Sequence, residues 1–300
     1  MKYNIELIRL LAVVLITLTH TRHSITEDSV FAYFLVEQLP TIGTILLSII
    51  SGYLFQKISF NKPNFFFRKV KTLFIPFLIA NLSVLCLVLT AKYIFDFNFL
   101  NRLSFDFTLI TEGVLALNSP PINPPTYFIR DIFVIFVLIE LIKNKNFYML
   151  LIIIPLLILG KLLLRYDILV IFLIGTIIAR YETQLIFPKV KITMLSILAL
   201  LSCLLIVKAD ISIYKYPLAL FVFLFVINRD INFYNTGAYS YLLHLYHSPI
   251  IVATYPIIQK ITKNNFYGIL IQITLSFIIV YTLFLATRKI PRLRILCGNK

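Results

Sequence analysis

The chain has 300 residues, of which 60% are hydrophobic and 14% charged, and its mean hydropathy is +0.92. Such a composition excludes a soluble domain with a polar surface and points to an all-α, polytopic membrane bundle. Its net charge of +15 would suggest nucleic acid in a soluble protein, but the basic residues gather in short loops between apolar runs, so no nucleic-acid partner is expected.

The first apolar run, about residues 4–21, carries Glu6, Arg9 and His20. At about 100° per residue, Arg9 and His20 project from nearly one helix face, roughly 16 Å apart along the axis. Glu6, three residues before Arg9, can pair with it and lower the cost of burying a guanidinium. Ionisable groups in a spanning helix tend to face a protein interior or a water-filled cavity and are functional candidates. The bland alternative is that Glu6 and Arg9 mark the cytoplasmic interface and His20 the outer one. No small-residue cleavage site follows, so the run reads as a retained span.

Taken in order, about ten runs are long enough to cross a bilayer: 4–21, 31–55, 72–95, 127–142, 147–161, 166–180, 192–208, 214–229, 236–259 and 266–288. Asp106 and Glu112 make Arg102 to Leu117 a poor span, and SPPINPP cannot continue a helix, so this stretch reads as an outer loop with an interfacial or re-entrant helix. Basic residues concentrate around 57–71, 143–145, 180–191 and 288–294, which places both termini in the cytoplasm. No linker or internal repeat divides the chain, so residues 1–300 read as one domain of the cell membrane. Cys86, Cys203 and Cys297 are widely spaced and give neither a disulfide framework nor a metal site.

The second run ends in SIISGYLFQK, where Ser51 and Gly52 allow another helix or a ligand to approach closely. Arg68, Lys69 and Lys71 then precede Pro76. This basic cluster suits anionic headgroups or the phosphates of a cytosolic donor equally well. Arg130 and Asp131 read as an interfacial ion pair at the outer end of the fourth run, within reach of an acceptor, as is Glu112. Arg22 and His23 read as solvated.

These stretches together resemble the integral-membrane acyltransferase family 3, the O-acyltransferases that modify cell-surface polysaccharides. The family's Arg-x(10)-His signature with an acidic residue three before the Arg is matched by Glu6, Arg9 and His20. Its Ser-Gly pattern in the second helix is matched by Ser51, Gly52, Tyr53 and Leu54, and its basic loop before a proline by Arg68, Lys69, Lys71 and Pro76. A late Ser-Tyr-x-x-x-Leu-x-His-x-Pro run is matched by Ser240, Tyr241, Leu245, His247 and Pro249. FLIGTIIAR, with Gly175 and Arg180, is similar to the Gly-containing sixth helix. The chain departs at Thr72, where a second Arg often stands, and at Tyr127, Phe128 and Ile129, where Trp-Phe-Leu is usual. His244 is an extra histidine three before His247.

The resemblance implies transfer of an acyl group, most often acetyl, from acyl-CoA as co-substrate to a hydroxyl of a glycan or glycolipid. It implies catalytic roles for His20, Arg9 and Glu6, with His20 acting as general base or as a covalent carrier. Donor binding falls to Arg68, Lys69, Lys71, Ser51 and Gly52, and substrate lining to Tyr241, His247 and Arg130. A rival reading is a transporter or flippase of a polysaccharide intermediate, in which Arg9 and His20 line a permeation path. Low Gly, no Trp and abundant Ile, Lys and Asn fit an AT-rich bacterial source.

Overall fold

Prolines and threonines shape the helices of this chain as much as its apolar runs do. The computed structural model describes residues 3–25, 29–98, 102–182, 188–207, 211–227, 229, 231–262 and 266–298. Among these the protein is all-helical, with no strand. Twelve helices are labelled here in chain order. They are α1 (Tyr3–Leu18), α2 (Val30–Tyr33), α3 (Ile42–Leu54), α4 (Phe65–Lys69), α5 (Ile75–Phe95), α6 (Tyr127–Asn144), α7 (Leu150–Leu159), α8 (Tyr166–Arg180), α9 (Pro188–Val207), α10 (Ile211–Ile227), α11 (Gly237–Thr262) and α12 (Phe266–Lys289). Short 3₁₀ and π turns join several of them.

Of the expected spans, Phe31–Ser59, Phe65–Phe95 and Phe266–Lys289 are long and apolar enough to cross a bilayer, whereas Phe147–Leu159, Thr193–Cys203 and Ile213–Ile227 are apolar but shorter. Phe65–Phe95 is continuous because the π turn Val70–Phe74 leads into Pro76. Proline removes one N–H and crowds the carbonyl four residues back, and a π turn absorbs both effects. Large apolar side chains stand exposed on α5 (Leu82, Leu87), α7 (Leu151, Ile158) and α12 (Leu270, Ile278). In water such faces would be a liability, and they fit a lipid surround.

The chain forms two units. The first contains Met1–Lys62, Asp167–Ser240 and Thr254–Leu275. Here α3 packs against α1, α8 and α10, and glycine sets two of these crossings. A Cβ on Gly43 would stand 2.5 Å from the Ala12 carbonyl of α1. A Cβ on Gly52 would fall on the Phe172 carbonyl of α8, and one on Gly175 of α8 on the Ile49 carbonyl of α3. Tyr53 meets Phe223 of α10 edge-on, with ring centroids 5.6 Å apart. After α1, the main chain of Arg22 exchanges two hydrogen bonds with the Gln272 amide, at 2.9 and 2.8 Å. Arg22 is exposed, as expected. His23 is not, because its side chain is 4% exposed and lies 3.0 Å from the Glu37 carboxylate, so the expectation of a solvated imidazole is corrected.

The second unit contains Pro63–Tyr166, Tyr241–Ala253 and Ser276–Lys300. Phe133, Val137, Met149 and Ile153 form its apolar centre, with Phe66, Phe74 and Leu141 against it. The 3₁₀ turn Pro291–Cys297 packs on α5. Between α5 and α6 the expected loop helix is the short π turn Leu109–Val114. Its Glu112 accepts hydrogen bonds from the Asn118 N–H (2.9 Å) and side-chain amide (3.1 Å), and from the Ser119 N–H (2.8 Å) and hydroxyl (3.0 Å).

Desolvation of Glu112 raises its pKa, but these four donors together outweigh it and hold the carboxyl below its ordinary value. The clamp is therefore complete above the unfolded glutamate value of about 4.3 and is lost as pH falls through the depressed native value. Limited proteolysis of the 112–119 loop is expected to accelerate in that acid window in the wild type. In Glu112→Gln it should be fast at neutral pH too and change little on acidification.

Candidate functional site

Glu6, on the first turn of α1, is 2% exposed. Arg9 follows one turn later and donates from Nη1 to Glu6 Oε1 at 2.7 Å, with its side chain 16% exposed. The pairing expected from the three-residue spacing is therefore present. The far side of this pair is the start of α11. The Thr236 N–H donates to Glu6 Oε2 at 3.2 Å, and the Thr236 hydroxyl donates to the Glu6 carbonyl at 3.2 Å. The carboxylate thus sits where the orphan N–H groups and positive end of a helix stabilise negative charge. Asn235 accepts the Gly237 N–H at 3.2 Å, which turns the chain into the helix.

Gly237 leaves room for the guanidinium: a Cβ there would stand 2.8 Å from Arg9 Nη1 and 3.4 Å from Glu6 Oε2. Thr236 and Gly237 were invisible to motif reading, because they lie some 230 residues from Glu6 and carry no chemistry of their own. A small residue just before the Ser-Tyr run was the available signal. Gly237→Ala is expected to displace Arg9 by a fraction of an ångström and to lower any activity that depends on its placement about 10- to 100-fold. The protein should remain at wild-type levels in membranes, which immunoblotting of membrane fractions checks alongside a transfer assay.

At the other end of α1 the helix stops at Leu18, short of His20. The last turns tighten: the His20 N–H donates to the Thr17 carbonyl at 3.2 Å and the Thr21 N–H to the Leu18 carbonyl at 3.1 Å. Thr17, Thr19 and Thr21 also fold their hydroxyls back onto the carbonyls of Val13, Ile16 and Leu18. Threonine bonding of this kind competes with the regular ladder. The half-buried His20 is therefore set by a capped turn and not by the uninterrupted helix that the spacing implied.

Ser51 is half-buried and Gly52 is buried at the crossing with α8. Of the two readings of this pair, close approach of another helix is the one with atoms against it. In the second unit, Arg68 and Lys71 are exposed. Lys69 lies over the rings of Phe136 (4.1 Å) and Phe65 (5.2 Å), so part of this cluster is anchored to the protein.

Tyr241, His244 and His247 are buried on successive turns of α11, and the two imidazole centroids lie 6.3 Å apart. His247 Nδ1 is 2.7 Å from the Leu243 carbonyl. A carbonyl only accepts, so Nδ1 carries a proton, and in the neutral ring Nε2 is the basic nitrogen.

Arg130 and Asp131 form the expected ion pair and are 5% and 0% exposed, so the pair is buried within the protein. Arg130 Nη1 donates to Asp131 Oδ1 (2.9 Å) and to the Leu162 carbonyl (2.6 Å), and Nη2 donates to the Lys161 carbonyl. Asp131 also accepts the N–H groups of Leu164 (3.0 Å) and Arg165 (2.9 Å). The pair pins the 161–165 loop to α6.

Comparison with curated proteins and with solved structures finds no match. A family model described as an acyltransferase domain, in contrast, matches residues 2–287, and with this span covering nearly the whole sequence the chain belongs to acyltransferase family 3.

Proposed function

We propose that this membrane acyltransferase moves an acetyl group from acetyl-CoA to a hydroxyl of a cell-envelope glycan or glycolipid, and that it does so as a protein of about ten spans with both termini in the cytoplasm. The observation that carries the reading is the Glu6–Arg9 pair at one end of α1, its carboxylate buried and its guanidinium half-buried, braced by Thr236 and Gly237. A partly desolvated guanidinium fixed by a carboxylate is suited to directional bonds with the phosphate or amide oxygens of a nucleotide thioester. Nη1 is engaged by Glu6, and the remaining N–H groups suit a donor.

In the proposed reaction His20 takes the proton of the acceptor hydroxyl as its oxygen attacks the thioester carbonyl carbon. The C–S bond breaks, CoA leaves as the thiol after protonation, and the new ester stays on the acceptor. In the covalent variant, acyl-His20 forms first and the hydroxyl then attacks it. Glu6 orients Arg9 and takes no proton. Arg68 and Lys71, exposed beside Lys69, are proposed to hold donor phosphate, and Tyr241 and His247 to line the acceptor.

The test is the O-acetyl content of purified surface polysaccharide, read by NMR, in cells lacking the gene or complemented with wild type, Arg9→Ala or His20→Ala. Acetyl signals restored by wild type alone support the reading. Full restoration by both variants would leave Arg9 and His20 structural. Loss of the surface polysaccharide itself, with acetylation unchanged, would favour transport.

A further inference from the structure

Asn123 stands between the two proline pairs of SPPINPP and is 1% exposed. Its main chain is fixed from both sides. The N–H donates to Asn81 Oδ1 of α5 at 3.3 Å, and the carbonyl accepts the Thr126 N–H at 3.1 Å and the Thr126 hydroxyl at 2.8 Å. Asn81, itself 0% exposed, is oriented by donating from Nδ2 to the Phe77 carbonyl at 2.9 Å and to Thr126 Oγ1 at 3.1 Å. From this frame the Asn123 side chain reaches α11, where Nδ2 donates to the Leu245 carbonyl at 2.7 Å. The amide orientation is forced, because its partner can only accept.

Leu245 is the residue whose helical donor Pro249 removes. In a regular helix the N–H of position 249 would bond the carbonyl of position 245; proline has no N–H, and its ring crowds that carbonyl. Leu245 and His247 are both 0% exposed, so this part of α11 lies away from water. A buried carbonyl left unpaired forfeits its hydration without a compensating hydrogen bond and so destabilises the fold. Asn123 supplies the missing donor at that point. His244, one residue before Leu245, packs edge-on against Phe128 with centroids 5.8 Å apart, and His247 follows two residues after it.

Plain packing does not account for an amide here. Asn123 Oδ1 is buried and accepts no hydrogen bond from the described residues, a cost that a leucine of similar size would avoid. The Nδ2–Leu245 bond is what the amide gains in return.

We propose that Asn123 is a positioning residue for acyl transfer: it replaces the hydrogen bond that Pro249 removes from α11 and so fixes the turn that carries His244 and His247. This rests on the reading above that His247 lines the acceptor site.

The test uses the full chain in detergent as wild type, Asn123→Ala, Pro249→Ala and the double variant. Three quantities are measured: the thermal-unfolding midpoint, the imidazole NMR shifts of His244 and His247, and kcat and KM with acetyl-CoA. Pro249→Ala gives the Leu245 carbonyl a helical N–H, so the bond from Asn123 becomes redundant in that background. Asn123→Ala is expected to lower the midpoint by about 2–6 °C in the wild-type background and by less than a third of that beside Pro249→Ala. It should also move both imidazole signals and reduce kcat at least 10-fold, with KM for acetyl-CoA within twofold.

Equal decrements in the two backgrounds would overturn the proposal, because Asn123 would then not serve the carbonyl. A suppressed decrement with unmoved imidazole signals would overturn it too, leaving the bond as structural support alone. If wild type transfers no acetyl group, the functional reading fails separately, and the midpoints and imidazole shifts still decide the positioning role.

Discussion

Replacing His20 by alanine is expected to reduce acyl transfer by about 10²- to 10⁴-fold, the range that a positioned general base contributes. The protein should remain folded, because His20 lies beyond the end of α1 and the threonine bonds that terminate the helix do not use its ring. The covalent and direct routes separate in the same experiment. A direct base leaves no labelled protein when radiolabelled acetyl-CoA is supplied without acceptor. An acyl-His20 intermediate leaves label on the wild type and none on His20→Ala. Arg9→Lys is expected to keep the charge and lose much of the rate, since an ammonium cannot reproduce the planar fork that Glu6 braces at 2.7 Å.

The second large effect concerns stability. Asp131→Ala leaves the Arg130 guanidinium buried at 5% exposure with no carboxylate against it, and frees the N–H groups of Leu164 and Arg165. Removing one partner of a buried pair typically costs about 3–5 kcal/mol. The variant is expected to be scarce in membranes and to unfold at a markedly lower temperature. Replacing both residues by apolar ones of similar volume, as Arg130→Met with Asp131→Leu, should recover much of that loss, because no charge is then buried alone. Immunoblotting of membranes and the unfolding midpoint in detergent measure both effects.

What could be read from the sequence divides along a physical line. Interactions set by local spacing were legible: Glu6 and Arg9 one helical turn apart, Arg130 beside Asp131, Tyr241 and His247 on a proline-containing helix. Environments set by distant segments were not. The burial of Arg130 and Asp131 depends on the 161–165 loop folding over them, and the burial of His23 depends on Glu37. The bracing of Glu6 comes from Thr236, and the partner of the Leu245 carbonyl is Asn123. The end of α1 was missed for a different reason: no proline or glycine stops the helix before residue 21, and only the alternating threonines at 17, 19 and 21 indicate that the turn tightens there. The π turns at Phe34–Gln38, Phe55–Ser59 and Val70–Phe74 leave no trace in a periodicity count, because each adds a single residue to an otherwise regular helix.

The central claim is acyl transfer from acetyl-CoA dependent on Arg9 of α1 and on His20 in the turn that follows it. Its most direct test is purified protein reconstituted in liposomes with radiolabelled acetyl-CoA and polysaccharide from an unacetylated strain. The account predicts label in the polysaccharide with equimolar release of CoA by wild type, and none above background by His20→Ala or Arg9→Ala. Equal labelling by wild type and both variants, or no CoA release by a folded wild type, would contradict it.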